Sequence, residues 1–173
     1  MKKSVITLLL MLGFCALQAQ TAATASRPEA PYLRFPTIPP FKILKVDSTN
    51  FYTRDDLKKN KLTIVMFFSP TCEHCKHQTE DILADPEDFK DVEIVMATYQ
   101  PFGEMKEFNT YYRIGDHPNI KLGRDEKYVL PGFYSNMANL PYLALYDKKG
   151  NLITTFQGNQ KTTTLMTAFH SKD

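Results

Sequence analysis

The order of apolar runs and turn formers predicts an α/β sandwich built on a mixed sheet. Strand-like and helix-like segments alternate through the middle of the chain, while the last two strand-like runs are separated by a short turn and return on each other. Between the most apolar run, Leu62-Thr63-Ile64-Val65-Met66-Phe67-Phe68, and the helix expected after it stands Cys72-Glu73-His74-Cys75. With 173 residues, 43% of them hydrophobic and 23% charged, the chain holds enough apolar material for one core, and no internal repeat or second domain is apparent.

The N-terminus reads as a leader. Met1-Lys2-Lys3 is a short basic head, residues 6–12 form an apolar stretch too short to anchor in a bilayer, and Leu17-Gln18-Ala19 offers a small residue for cleavage after Ala19. A bacterial signal peptide over 1–19 is expected, with the periplasm as compartment. Cys15 raises the alternative of a lipoprotein anchor, but the bulky Phe14 stands where lipoprotein processing requires a small residue. Residues 20–40 carry Pro28, Pro31, Pro36, Pro39 and Pro40 without helical or strand periodicity, so an extended linker or arm is expected, with Tyr32, Leu33 and Phe35 available to dock. The domain proper is expected over 41–173.

Within it, residues 41–46 read as a strand, 47–50 as a turn, and Phe51-Tyr52 as a second short strand. Thr53 is placed to cap a short helix reaching residue 59. Residues 62–68 are apolar on both faces, as in a central parallel strand. A helix is expected over 76–83, a strand over 92–99 and a helix over 102–114. The last carries Phe102, Met105, Phe108, Tyr111 and Tyr112 at helical spacing, read as a core-packing stripe. Between 116 and 139 only a short strand near Ile120 and an aromatic loop over 128–134 are suggested. Residues 142–146 and 152–156 form a hairpin around Asp147-Lys148-Lys149-Gly150-Asn151, and a helix over 162–170 ends the domain.

Cleavage after Ala19 removes Lys2 and Lys3, taking the formal charge from +2 to neutral. A neutral chain without a basic run offers no electrostatic case for nucleic acid or an anionic membrane as partner. It would also leave Cys72 and Cys75 as the cysteines of the mature chain. A disulfide across so short a loop removes little unfolded-state entropy, which makes it a poor staple and a good redox switch. Cys72, at a helix N-terminus, meets unpaired N–H groups and the positive end of the helix dipole, and both favour thiolate over thiol. Cys75, one turn further in, is shielded. Cys72 is therefore expected to attack a substrate disulfide and Cys75 to resolve the mixed disulfide. A protonated His74 would stabilise the thiolate while Glu73 would disfavour it, and the balance between these tuning residues stays open at this level.

The run Phe67-Phe68-Ser69-Pro70-Thr71-Cys72-Glu73-His74-Cys75-Lys76 resembles the active-site segment of thioredoxin-fold oxidoreductases, and the chain from Phe41 to His170 is similar to their exported TlpA/ResA-like branch. The resemblance implies a thioredoxin-like three-layer sandwich with a mixed central sheet and an N-terminal β-hairpin extension. It further implies a cis Pro141 packed beside the cysteine pair, and a Leu140 backbone that hydrogen-bonds an incoming peptide. Partners would be protein thiols or disulfides in the periplasm and a membrane electron donor or acceptor. The implied role is a reductant of apocytochrome or other protein disulfides, with oxidase and isomerase roles left open. No cofactor is expected beyond the Cys72–Cys75 redox disulfide.

Several positions depart from the family pattern. Thr71 precedes the motif where Trp is usual, Met66 stands where thioredoxin has a buried acid, Gln78 stands where ResA-like reductases carry a functional glutamate, and Glu80 replaces a helix-kinking proline. These remove the usual proton acceptor for Cys75, leaving Glu73 or water. A zinc or copper site on Cys72, Cys75 and His77 is the rival reading; it lacks an evident fourth ligand beyond the isolated His117 and His170. Copper binding or delivery is its most serious form. Covalent haem attachment fails on spacing, because Lys76 and not histidine follows Cys75. A peroxidase would want threonine at Ser69, and a non-catalytic interaction module would not need an intact cysteine pair.

Overall fold

In the computed structural model, which describes residues 29–135 and 137–171, the chain begins as an arm laid on the domain. The leader expected over 1–19, with Cys15, lies outside the described residues, as does the linker up to residue 28. A one-turn helix, α1 (Pro31–Arg34), places the Tyr32 ring 6.0 Å from that of Tyr134. Thr37 bridges to Asn151, the Leu152 N–H donates to the Pro36 carbonyl, and Ile38 is buried. The stretch is thus packed rather than free, although Leu33 and Phe35 face solvent.

β1 (Lys42–Lys45) and β2 (Phe51–Thr53) form the expected hairpin, with Ile43 opposite Tyr52. Its turn is organised by Asp47, whose Oδ1 accepts from the N–H groups of Thr49 and Asn50 at 3.0 and 2.9 Å. The helix expected from Thr53 shortens to a 3-10 turn over Arg54–Asp56. The Asp56 carboxylate ties back to the Thr53 N–H and hydroxyl, and the Lys58 N–H then leaves the helical path to reach Glu93 Oε2 at 2.9 Å.

The core strand β3 (Leu62–Phe67) runs parallel to β4 (Val92–Thr98) and antiparallel to β6 (Tyr142–Tyr146). β5 (Ile120–Arg124) continues the parallel set beyond β4, the β1–β2 hairpin attaches to β5, and β7 (Leu152–Gln157) closes the far edge. The sheet order is β2-β1-β5-β4-β3-β6-β7. The helices are α2 (Glu73–Ala84), α3 (Pro86–Phe89), α4 (Phe102–Tyr112), α5 (Val129–Tyr134) and α6 (Thr162–His170).

Strand alternation divides the core in two. Ile64 and Met66 face the layer that contains Cys75, Ile82, Met105, Phe108 and Leu165. Val65 and Phe67 face Leu130, Tyr134 and Tyr142 on the other side, where the hairpin's Ile43 and Tyr52 also pack. Each such fully buried side chain contributes roughly 1.5–3 kcal/mol of transfer free energy. Two further expectations are corrected. The aromatic segment expected as a loop over 128–134 is helical from Val129 to Tyr134, because Asp125 is buried and its carboxylate accepts the Val129 and Leu130 N–H groups at 3.2 and 2.8 Å. The α4 stripe is only partly core: Met105 and Phe108 are buried, whereas Tyr111 is 78% exposed.

Candidate active site

β3 delivers the cysteines to one end of the sheet. Past the strand, the Phe68 N–H still donates to the Ala97 carbonyl at 3.0 Å, and Ser69-Pro70-Thr71 then turns out of the sheet. Cys72 is the N-cap residue of α2, with extended backbone (φ −83°, ψ 122°). Its carbonyl accepts from the Cys75 and Lys76 N–H groups at 3.0 and 3.1 Å, so its side chain stands outside the first turn while its backbone starts the helix. Both cysteines are free thiols, Cys72 partly exposed and Cys75 buried. Burial pushes the Cys75 thiol far up from its usual range; the neighbouring Cys72 sulfur adds to this, and a hydrogen bond with the Ser69 backbone opposes it.

Strand register brings the second part of the site. Phe67 pairs with Tyr142, which sets Pro141 beside the loop that follows β3. The Leu140–Pro141 bond is cis, and Cys72 Sγ lies 3.8 Å from the Leu140 carbonyl oxygen. Pro141 is buried, and its own carbonyl accepts the Gly158 N–H at 2.9 Å. The four residues Cys72, Cys75, Leu140 and Pro141, 65 positions or more apart in the chain across the two segments, thus meet at one place.

The remaining residues singled out from the sequence are distributed differently. Glu73 is exposed and accepts from Lys76 Nζ at 2.7 Å; that hydrogen bond lowers its carboxyl from the usual range. A carboxylate so engaged on the outer face of α2 does not serve the buried Cys75. His74 is also exposed. Gln78 is fully buried and reads one backbone residue at two points: its Nε2 donates to the Gln160 carbonyl at 3.2 Å, and its Oε1 accepts the Gln160 N–H at 2.7 Å. It fastens α2 to the segment joining β7 and α6. Met66 lies wholly in the apolar core. Besides Asp125, the buried acid here is Glu93, at the opposite end of the sheet and accepting from the Tyr52 hydroxyl at 2.5 Å.

A cavity of about 460 Å³ opens beside Thr71 between α2 and α4. Glu73, Glu80, Glu104 and Glu107 line it with Lys76 as the single cation, and Phe108, Tyr111 and Tyr112 form its apolar wall. Glu80 accepts from the Tyr112 hydroxyl at 3.1 Å and meets His77 Nδ1 at 3.2 Å; burial and that carboxylate raise the Tyr112 phenol to about 12. The helical spacing of Tyr111 and Tyr112 was the only sequence signal for this groove, and it did not distinguish a groove wall from core. Among the described residues, no group of three or more His, Cys, Asp or Glu side chains converges to hold a metal.

No protein-family model and no curated protein matches the chain. Solved structures do. A secreted Mycobacterium tuberculosis disulfide oxidoreductase, homologous to Escherichia coli DsbE, superposes with a TM-score of 0.61 at 17% identity, over 76% of this chain and 95% of its own. StoA from Bacillus subtilis matches with a TM-score of 0.57 at 18% identity, over 77% and 98%. A thioredoxin-like protein from Aeropyrum pernix matches with a TM-score of 0.60 at 12% identity, over 76% and 89%. The chain has the thioredoxin-like fold expected from its active-site segment.

Proposed function

We propose that this protein is an exported thiol–disulfide oxidoreductase that exchanges disulfides with protein substrates, working as a reductant. The observation that carries the reading is the asymmetry of the cysteine pair. A partly exposed Cys72 caps α2, a buried Cys75 lies one turn beneath it, and the Leu140 carbonyl borders the outer sulfur. That arrangement gives one thiol access to a large partner and keeps the other for the intramolecular step.

The reaction balances in two displacements. The Cys72 thiolate attacks one sulfur of a substrate disulfide, forming a mixed disulfide and releasing the first substrate thiolate. Cys75 gives up its proton to water or to that departing thiolate, attacks the Cys72 sulfur, and expels the second substrate thiolate. Two electrons have then passed to the substrate, and Cys72–Cys75 is a disulfide that a thiol donor must reduce again. Forming the mixed disulfide also removes the Cys72 influence that helps hold the Cys75 proton, so the first step eases the second. Leu140 and Pro141 form the surface on which an extended peptide would lie, and His74 and Glu73 adjust the outer thiolate. The likeness to a secreted disulfide oxidoreductase supports the activity and the export.

The test is the reduction potential of the Cys72–Cys75 couple, measured by equilibration with glutathione, with metal added to a parallel sample. A value near about −270 mV supports the reductant, and one near about −120 mV replaces it with an oxidant. No couple, with stoichiometric metal bound, overturns the enzyme reading. Cys72→Ser should abolish exchange, and Cys75→Ser should leave substrate trapped on Cys72.

A further inference from the structure

The end of the sheet opposite the cysteines concentrates positive charge. β3 starts there and reaches the cysteine loop at its other end, a span of roughly 20 Å at about 3.3 Å per residue. A cavity of about 420 Å³ at this end is lined by Arg54, Lys58, Lys59, Lys61, Lys148 and Lys149. They come from two segments, the 3-10 turn with the stretch that follows it and the β6–β7 turn, which the sheet brings together.

Asp147 is the sole carboxylate of the lining, and its oxygens are occupied by the turn. They accept from the Lys149 and Asn151 N–H groups at 2.8 Å each and from the Asn151 amide at 3.0 Å. Arg54 pairs at 3.6 Å with Asp55, and Lys61 pairs with Asp91. The side chains of Lys58, Lys59, Lys148 and Lys149 form no salt bridge with the described residues, although Lys148 acts on Asp91 and Lys149 on Asp147 electrostatically. The backbone that carries them is held in place: the Lys58 N–H is bound by buried Glu93, Asn60 sits at φ 59°, and the Ile38 N–H donates to the Gly150 carbonyl at 3.1 Å. With the backbone already fixed, an anion that enters has only the side chains left to order.

We propose that this cavity binds a phosphate-bearing anion of two or more negative charges, free in solution or presented by a lipid headgroup. Ammonium groups act as point charges, and the Arg54 guanidinium offers a planar fork, a set suited to compact oxyanions. Ile38 and Leu57 are the apolar side chains of the lining. The near-neutral charge of the whole chain conceals this concentration, because the acidic groove at the cysteine end offsets it. A ligand bound here leaves Cys72 facing away from it.

The test titrates the chain with inorganic pyrophosphate by calorimetry and, in parallel, sediments it with phosphatidylcholine vesicles with and without phosphatidylglycerol. Binding at low salt is expected to at least one probe and to weaken as salt screens it. It should fall about tenfold or more in Lys58→Gln/Lys148→Gln, and equally in Lys59→Gln/Lys149→Gln should the first pair fail to fold. A Lys42→Gln/Lys121→Gln protein of the same net charge should bind as the parent does. Pyrophosphate binding alone identifies a soluble ligand, and vesicle binding alone a headgroup. Failure of both probes, or equal weakening in the control pair, overturns the site. The potential of the Cys72–Cys75 couple should be the same in all variants, which separates this outcome from that of the proposed activity.

Discussion

Gln78 shows how one side chain couples the cysteine helix to the rest of the domain. Its amide both donates to and accepts from the Gln160 backbone in a site closed to water. In Gln78→Glu a carboxylate would keep the Gln160 N–H but face the Gln160 carbonyl without a proton to offer. Burial and that carbonyl would raise the carboxyl above its unfolded value near 4.3. Because the folded value is the higher one, the variant binds its proton in the native state and loses relative stability as pH rises from about 4 towards 7. Urea unfolding is expected to show a cost of about 1–3 kcal/mol at pH 7 and less at pH 5. Equal costs at both would mean that the new carboxyl turns away from Gln160. At this scale Cys72 and Cys75 were legible in the sequence, since cysteine spacing after an apolar run is a local signal, whereas Pro141 came only from the resemblance of the chain to a known family. The partner of Gln78 was not legible, because it stands 82 positions away in a segment without periodicity.

Among the elements, the β1–β2 hairpin depends on a glycine it does not contain. Gly123 of β5 lies against Ile43, and a Cβ there would stand 2.8 Å from both the Ile43 Cβ and Cγ1. Both strands are fixed by pairing, Gly123 with Ala97 on one side and Lys45 on the other, so neither can yield cheaply. Gly123→Ala should cost about 1–3 kcal/mol in thermal melts and speed hydrogen exchange at Ile43 and Tyr52. Gly132→Ala, in α5 with nothing within 4 Å of the added carbon, should leave the melting temperature unchanged or raise it. The hairpin itself could be read from two short β-rich runs around a turn. Its attachment to β5 could not, because strand order depends on which faces pack and not on local pattern. α5 was missed for a related reason: Pro131 and Gly132 obscure its helical propensity, while buried Asp125 supplies the cap from outside the segment.

Across the whole molecule, titration behaviour divides between core and surface. Burial raises the phenols of Tyr52, Tyr134, Tyr142 and Tyr146 and the Cys75 thiol, with the Tyr134 and Tyr146 hydroxyls bonded to each other at 2.7 Å. Each of these groups deprotonates in the unfolded chain first, so the native state holds more protons and stability falls with rising pH. Exposed Asp47, Asp56 and Asp91 have lowered carboxyls, stabilised by hydrogen bonds from their own turns and, for Asp91, from Lys61. Their contribution is present above the ordinary carboxylate range and is lost as pH falls through it. Melting temperatures measured from pH 3 to 11 should therefore hold between about 5 and 8, decline above about 9, and decline again below about 4. A melting temperature that stayed level to pH 11 would contradict the burial of these phenols and of Cys75.

What the sequence determined by itself is what adjacent residues can encode: the apolar central strand, the two cysteines at the following helix start, the hairpin turns and the α/β order. From these came the α/β sandwich with a mixed sheet and the proposed exchange chemistry, while the thioredoxin-like architecture was implied by the resemblance of the active-site segment. Tertiary structure alone decided which distant groups meet. Sheet register set Leu140 and Pro141 against Cys72, helix packing opened an acidic groove beside it, and the pairing of β3 with β6 gathered cations from two separate segments at the opposite end. The physical reason is common to all three. Backbone propensity and hydrophobic periodicity act over a few residues, whereas the proximity of charges and polar groups is a by-product of burying the two faces of one sheet.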